Sequence, residues 1–241
     1  MHLKRRVIIA AHKKIIFVIV EGPSDETALG VLLSKIYDKE TVYIHIWHGD
    51  ITSDIKTNPS NIISKIGNAV KGYAKSQHFC NKNFAEIIHI TDMDGAYIPA
   101  RFIAENKNSK ENVYTLKEIY TPNRESMIRR NAQKRDNIDK LCTCNQVWKI
   151  PYSIYYMACN LDHVLYGKLN STAEEKEEDS YKFAKAYKNN IDGFLKFISQ
   201  SEFSVKMPYR QSWDFIKKDL NSLGRYTNLA LGFKQQDMGE K

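Results

Sequence analysis

The chain has 241 residues, of which 42% are apolar and 27% charged, and its 36 basic and 28 acidic side chains leave a net charge of +8. That length buries a core without disulfides or structural metals, and that composition excludes disorder for most of the chain. No stretch approaches the ~20 apolar residues of a membrane helix, and the basic balance permits a polyanionic partner without requiring one. Residues 1–6 are charged, but the apolar segment after them is broken by His12, Lys13 and Lys14, which predicts no secretory leader. Cys80, Cys142, Cys144 and Cys159 form no CxxC pair, which excludes a zinc ribbon and makes a reduced, cytoplasmic setting the default.

Residues 15–20 are an unbroken apolar run, the pattern of a strand buried on both faces. Ala28, Leu29, Leu32, Leu33 and Ile36 recur at helical spacing and predict a helix over 25–37, capped by Ser24. Residues 42–47 read as a second strand, and 59–74 as a helix with Pro59 in its first turn. A third strand follows over 86–91. Next come a short strand within 113–120, a charged helix over 125–141 and a strand over 151–157. Beyond Asp162 the pattern turns helical, over 161–169, 181–187, 191–198 and 213–223. The acidic run from Glu174 to Asp179 reads as a solvated helix start or loop, and 235–241 as a loose tail. Strands alternating with helices predict an α/β fold, a parallel sheet flanked by helices. The expected division is a first unit over 1–165 and a helical C-terminal part over 166–241 packed on it.

Four carboxylates fall where such a sheet presents its ligands. Glu21 follows the first strand and Asp25 opens the helix after it; Asp92 and Asp94 follow the third strand, before Gly95. All four lie beyond the carboxyl ends of strands, the edge at which open α/β sheets bind ligands. Each pair alone is an ordinary feature, helix-dipole complementation or a turn. Together they crowd one edge with negative charge, for which a hard divalent cation such as Mg2+ or Mn2+ is the natural counter-charge.

These residues resemble a known family. Val20-Glu21-Gly22-Pro23-Ser24-Asp25, a Leu-rich helix and then Asp92-Met93-Asp94-Gly95 are similar to the Toprim domain. That domain is shared by topoisomerases, DnaG-type primases, small nucleases and the OLD (overcoming lysogenisation defect) nucleases. The acid four residues beyond the Glu resembles the OLD-type nucleases in particular. Asn160-Leu161-Asp162, after the strand over 151–157, looks like the turn and acid of standalone RloB-like Toprim proteins, without their Pro and with Asp in place of Glu. The resemblance implies a Rossmann-like Toprim fold over about residues 13–165. It also implies a Mg2+- or Mn2+-dependent phosphodiester hydrolase acting on DNA or RNA, with Glu21, Asp25, Asp92 and Asp94 catalytic and metal-binding and Asp162 a further ligand. The same proteins imply a phage-defence setting and a partner ATPase encoded elsewhere, and a homo-oligomer stays open. No GxxxxGK[ST] loop, topoisomerase tyrosine module or template-binding module accompanies the motifs.

Basic residues concentrate between 117 and 140, and Arg129, Arg130 and Lys134 are expected to share one helical side that grips phosphates. Arg210 and Arg225, set among aromatics, are further nucleic-acid candidates. His45 and His89 read as satisfied core residues, and His48-Gly49-Asp50 ends the second strand near the acids. Two other readings stay open: a Toprim protein that binds nucleic acid or an ATPase partner without cutting, and nucleotidyl transfer at the same acids.

Overall fold

The computed structural model describes residues 14–37 and 42–234. The expected leaderless start and the loose tail lie outside the described residues. The first three strands are β1 (Lys14–Val20), β2 (Val42–His48) and β3 (Phe84–Asp92), with α1 (Pro23–Ile36) and α2 (Ile62–Ser76) between them. A side excursion carries β4 (Ile103–Glu105), β5 (Val113–Tyr114) and β6 (Ile119–Thr121). The chain then returns through α3 (Arg124–Cys142), β7 (Gln146–Val147) and β8 (Ile150–Met157). Five helices complete it: α4 (Leu161–Tyr166), α5 (Ala173–Tyr187), α6 (Ile191–Gln200), α7 (Tyr209–Ile216) and α8 (Ala230–Lys234).

The main sheet runs β2-β1-β3-β8-β7. β2, β1, β3 and β8 are parallel, and β7 is an antiparallel edge. The fold is therefore α/β, with a mostly parallel sheet flanked by helices. Alternate residues of β1 feed two cores, as the strand period of two requires. Phe17 and Ile19 pack with Ile62, Ile66 and Val70 of α2, Ile138 and Leu141 of α3 and Trp213 of α7. Ile16 and Val18 pack with Leu29, Leu32 and Leu33 of α1, Phe183 of α5 and Phe194 and Ile198 of α6. Phe17, Val18 and Ile19 retain no exposed surface, and burial of each stabilises by about 1.5–3 kcal/mol. The C-terminal helices thus share a core with the sheet. No helix among the described residues is long and apolar enough to cross a membrane.

Several elements differ from expectation; the helix expected over 213–223 runs over Tyr209–Ile216, and the one expected over 181–187 already starts at Ala173. The strand expected within 113–120 is a hairpin, β5 against β6, because Thr115 takes the backbone N–H of Glu118 on its hydroxyl and donates its own N–H to the Glu118 carbonyl. Pro59 does not open α2. Asn58 and Asn61 build a turn through their side chains, and the helix starts at Ile62. α4 stops at Tyr166, because Gly167 takes a left-handed φ of 77° and ends the helix.

Candidate functional site

The carboxyl ends of the parallel strands meet at one edge, where Val20 pairs with His48 and Asp92 with Met157. A cleft of about 550 Å³ opens there, lined by Glu21, Asp25, Asp50, Asp92, Asp94 and Arg130. Its outer wall is residues 111–114 on one side and 169–172 with Lys176 on the other. The two sides are joined: the Asn170 side chain accepts from Tyr114 N and donates to Tyr114 O, both at 2.8 Å.

Glu21 is fixed by three donors on one oxygen. Its Oε1 accepts from Thr91 Oγ1 at 3.0 Å, from the Asp92 backbone N–H at 3.0 Å and from Lys134 Nζ at 3.1 Å. Asp25 reaches back from the first turn of α1, where Oδ2 accepts the N–H groups of Glu21 and Gly22. Gly22, not Ser24, is the residue at the helix start, because α1 already begins at Pro23. Asp92 Oδ1 accepts the Leu161 N–H at 2.9 Å, which ties the end of β3 to the start of α4.

Asp94 adopts φ +48°, and its N–H donates to the Cys159 carbonyl at 2.7 Å. A non-glycine residue in the left-handed region costs of order 1 kcal/mol and persists where its surroundings dictate it. Gly95 follows at φ +67°; a Cβ there would stand 2.8 Å from both Ile119 and Leu223, so the turn has no room for a side chain.

Two cations of α3 enter the cluster. Lys134 Nζ lies 2.5 Å from Asp94 Oδ2, and Arg130 Nη2 reaches the same oxygen at 2.5 Å. The Lys134 side chain is 0% exposed. Arg129 points away, 72% exposed and loosely paired with Glu125. The expected shared basic face is therefore corrected. Arg130 and Lys134, four apart, turn inward, while Arg129, one residue away, is carried about 100° round the helix to solvent.

These contacts set the electrostatics. Burial pushes Glu21 up to about 7, opposed by Lys134 and reinforced by Asp50 and Asp94. Burial also raises Asp92 well above the carboxylate range, and Glu21, Asp25 and Asp94 add to it. Burial would raise Asp94 as well, but Lys134 and Arg130 hold it below the usual value. Lys134 resists the downward pull of burial because Asp94, Glu21 and Asp50 keep it charged.

The structure thus brings Glu21, Asp25, Asp92 and Asp94 to one cleft. Asp162 is buried behind it, 3.7 Å from Lys176, and Asn160 takes the place on the cleft wall. Arg210 lines a separate cavity beside Cys142 and Trp213, and Arg225 another beside His163. His89 is buried against Tyr152 as its expected core role requires, whereas His45 is only half-buried and stacks on Tyr73 at 3.6 Å. Asp50 lies at the cleft, near the acids as its place after the second strand implied, but sequence reasoning did not place Tyr114 or Asn170 at the site, nor Lys134 among the acids. For Lys134 a signal existed: Met127, Asn131, Lys134, Ile138 and Leu141 keep the spacing of one buried helix stripe, with a lysine where an apolar residue belongs.

Among the described residues, no three His, Cys, Asp or Glu side chains stand together as a metal-holding group. The donor chemistry nonetheless fits a hard cation. Asp92 is desolvated among three other carboxylates and forms no ion pair among the described residues, whereas Glu21 and Asp94 have Lys134. No protein-family model matches the chain, and no curated protein or solved structure does so either.

Proposed function

We propose that this protein is a divalent-metal-dependent nuclease that hydrolyses phosphodiester bonds of DNA or RNA. The observation that carries this reading is the convergence of Glu21, Asp25, Asp92 and Asp94, from the ends of two parallel strands, on one cleft that also holds Arg130. The resemblance to Toprim nucleases supports it at the same positions. A magnesium or manganese ion held by Glu21, Asp25, Asp92 and Asp94 would supply Lewis-acid stabilisation of the charge that develops on the phosphate.

The chain's own groups divide the remaining work. Glu21 is pinned through Oε1 and orients the attacking water. Arg130, part-exposed at the cleft, meets the phosphate oxygens and offsets their growing charge. Lys134 touches no solvent and acts as a positioning residue, holding Glu21 and Asp94 at a fixed separation. Asp162, buried behind Asp25, does not line the cleft, and its like charge raises the Asp25 carboxyl. The reading extends to a cytoplasmic defence effector working with an ATPase partner, on the strength of the resemblance alone.

One observation favours a second reading, binding without cleavage. Lys134 already neutralises two of the acids, so the cleft can stay folded with no metal bound. Cleavage of plasmid DNA, single-stranded DNA and total tRNA with Mg2+ or Mn2+ decides between them. Wild type is compared with Glu21→Ala and Asp92→Ala after both variants are shown to be folded. Cleavage by wild type alone establishes the nuclease; metal-independent binding with no cleavage favours the second reading.

A further inference from the structure

A cavity of about 940 Å³, larger than the acidic cleft, shares no lining residue with it. It lies on the other side of α4: Asn160 borders the cleft, and His163 borders the cavity. Its size is at the upper end of small-molecule sites.

Three features mark it as built for a ligand. The first is a cation without an ion pair, in a cavity that the Glu202 carboxylate also lines. Arg225 is anchored by Nε and Nη2 to the Val164 carbonyl, at 3.1 and 2.9 Å, and no carboxylate within salt-bridge distance pairs with it among the described residues. The second is His163, 5% exposed, whose Nδ1 has no hydrogen-bond partner. That atom has almost no accessible surface, so His163 gives the cavity part of its ring rather than a free nitrogen. The third is flat apolar wall. Arg225 sits 4.7 Å over the Phe203 ring, Phe197 packs edge-on to Phe203 at 5.2 Å, and Leu116 stands at the rim 57% exposed.

A fixed guanidinium beside apolar and aromatic wall suits a ligand that is anionic at one end and a flat heterocycle at the other. We propose that this cavity binds a nucleotide, with its phosphate on Arg225 and its base against Phe197 and Leu116. The nucleotide is either a free mononucleotide or one unit of a bound strand. The site stands independently of the hydrolysis reading. Because α4 carries His163 on one side and follows directly from Asn160 on the other, occupancy bears on the wall of the acidic cleft.

Calorimetric titration of the full chain with AMP, GMP, CMP, UMP, inorganic phosphate and a 10-nucleotide single strand tests this. Saturable binding of a mononucleotide that weakens at least tenfold in Arg225→Gln and in Leu116→Glu supports a free ligand. Leu116→Glu changes an exposed rim residue, so it separates lost binding from lost folding. Binding of the single strand alone, weakened by the same two variants, supports the strand unit. Binding unaffected by both variants but removed by Arg130→Ala places the nucleotide in the acidic cleft and overturns the proposal. Absence of any nucleotide or strand binding overturns it as well.

Discussion

Lys134 Nζ lies 2.5 Å from Asp94 Oδ2, an ion pair between the middle of α3 and the turn after β3, on a lysine with no exposed side-chain surface. Removing one partner of a buried pair leaves the other charge unpaired in low dielectric and costs about 3–5 kcal/mol. Lys134→Met should therefore unfold at a clearly lower urea concentration than wild type. The divalent cation should restore part of the loss, because it offers Glu21 and Asp94 another counter-charge. A midpoint unchanged in both conditions would contradict the placement of Lys134.

Asp92 is the acid with most to gain from a cation. Asp92→Asn keeps Oδ1 for the Leu161 N–H and removes a charge crowded by Glu21, Asp25 and Asp94. In chelator the variant should melt at or above the wild-type temperature. Wild type should gain stability on adding millimolar Mg2+ or Mn2+, whereas Asp92→Asn should gain little. Cleavage should fall by at least about 10²-fold in the variant.

Arg129 and Arg130 are neighbours in sequence with opposite expected effects. Arg129→Ala should change cleavage and stability within about 0.5 kcal/mol, as for other exposed pairs. Arg130→Ala should lower turnover by about 10²-fold, since it removes the cation that both holds Asp94 and faces the cleft. Turnover measured at saturating substrate separates the two.

His89 gives a pH signature away from the acids. Burial holds its imidazole down at about 3, with Nδ1 against the Tyr152 hydroxyl at 2.8 Å, against a value near 6.5 in the unfolded chain. Between these values the unfolded state takes up a proton that the folded state refuses. The stability contributed by neutral His89 is thus fully present above pH 6.5 and is lost as pH falls towards 3. The slope is about 1.4 kcal/mol per unit, or about 2 kcal/mol between pH 7 and pH 5. Glu21, raised by burial, contributes with the opposite sign between its unfolded value of 4.5 and about 7, so the measured quantity is the difference between wild type and His89→Gln, whose stability change between pH 7 and pH 5 should lack that loss.

Gly95→Ala should cost about 2 kcal/mol or more. It imposes a Cβ on a φ of +67° and drives it into Ile119 and Leu223. Thermal melts of this variant and of Gly72→Ala, where a Cβ meets nothing within 4 Å, give the contrast.

The sheet was legible because β1 is buried on both faces and reads as a continuous apolar run with Glu21 directly after it, and because β3 keeps Ile87, Ile88 and Ile90 ahead of its terminal Asp92. Glu21, Asp25, Asp92 and Asp94 could be placed at one edge because parallel strands put their carboxyl ends together. Lys134 was misread because net charge and i, i+4 spacing describe a helix surface without saying which way it turns. Its direction is set by Met127, Ile138 and Leu141, which share its stripe. Tyr114 and Asn170 were invisible for a different reason. Their bond links residues 56 positions apart in two loops, and nothing local encodes that pairing. The hairpin over 113–121 was merged into one strand because Thr115 makes its turn with neither Gly nor Pro.

Glu21 and Lys134 are 113 residues apart in sequence, yet they share one hydrogen bond at the floor of the cleft. During synthesis at ~5–20 residues per second, roughly ten seconds separate the emergence of the two from the ribosome. Through that interval the acids of β1 and β3 have no lysine to balance them, and α3 has yet to dock. A growing chain therefore carries its acidic edge in an unbalanced, incomplete form. Only a molecule finished past α3 presents the cleft with its charges matched.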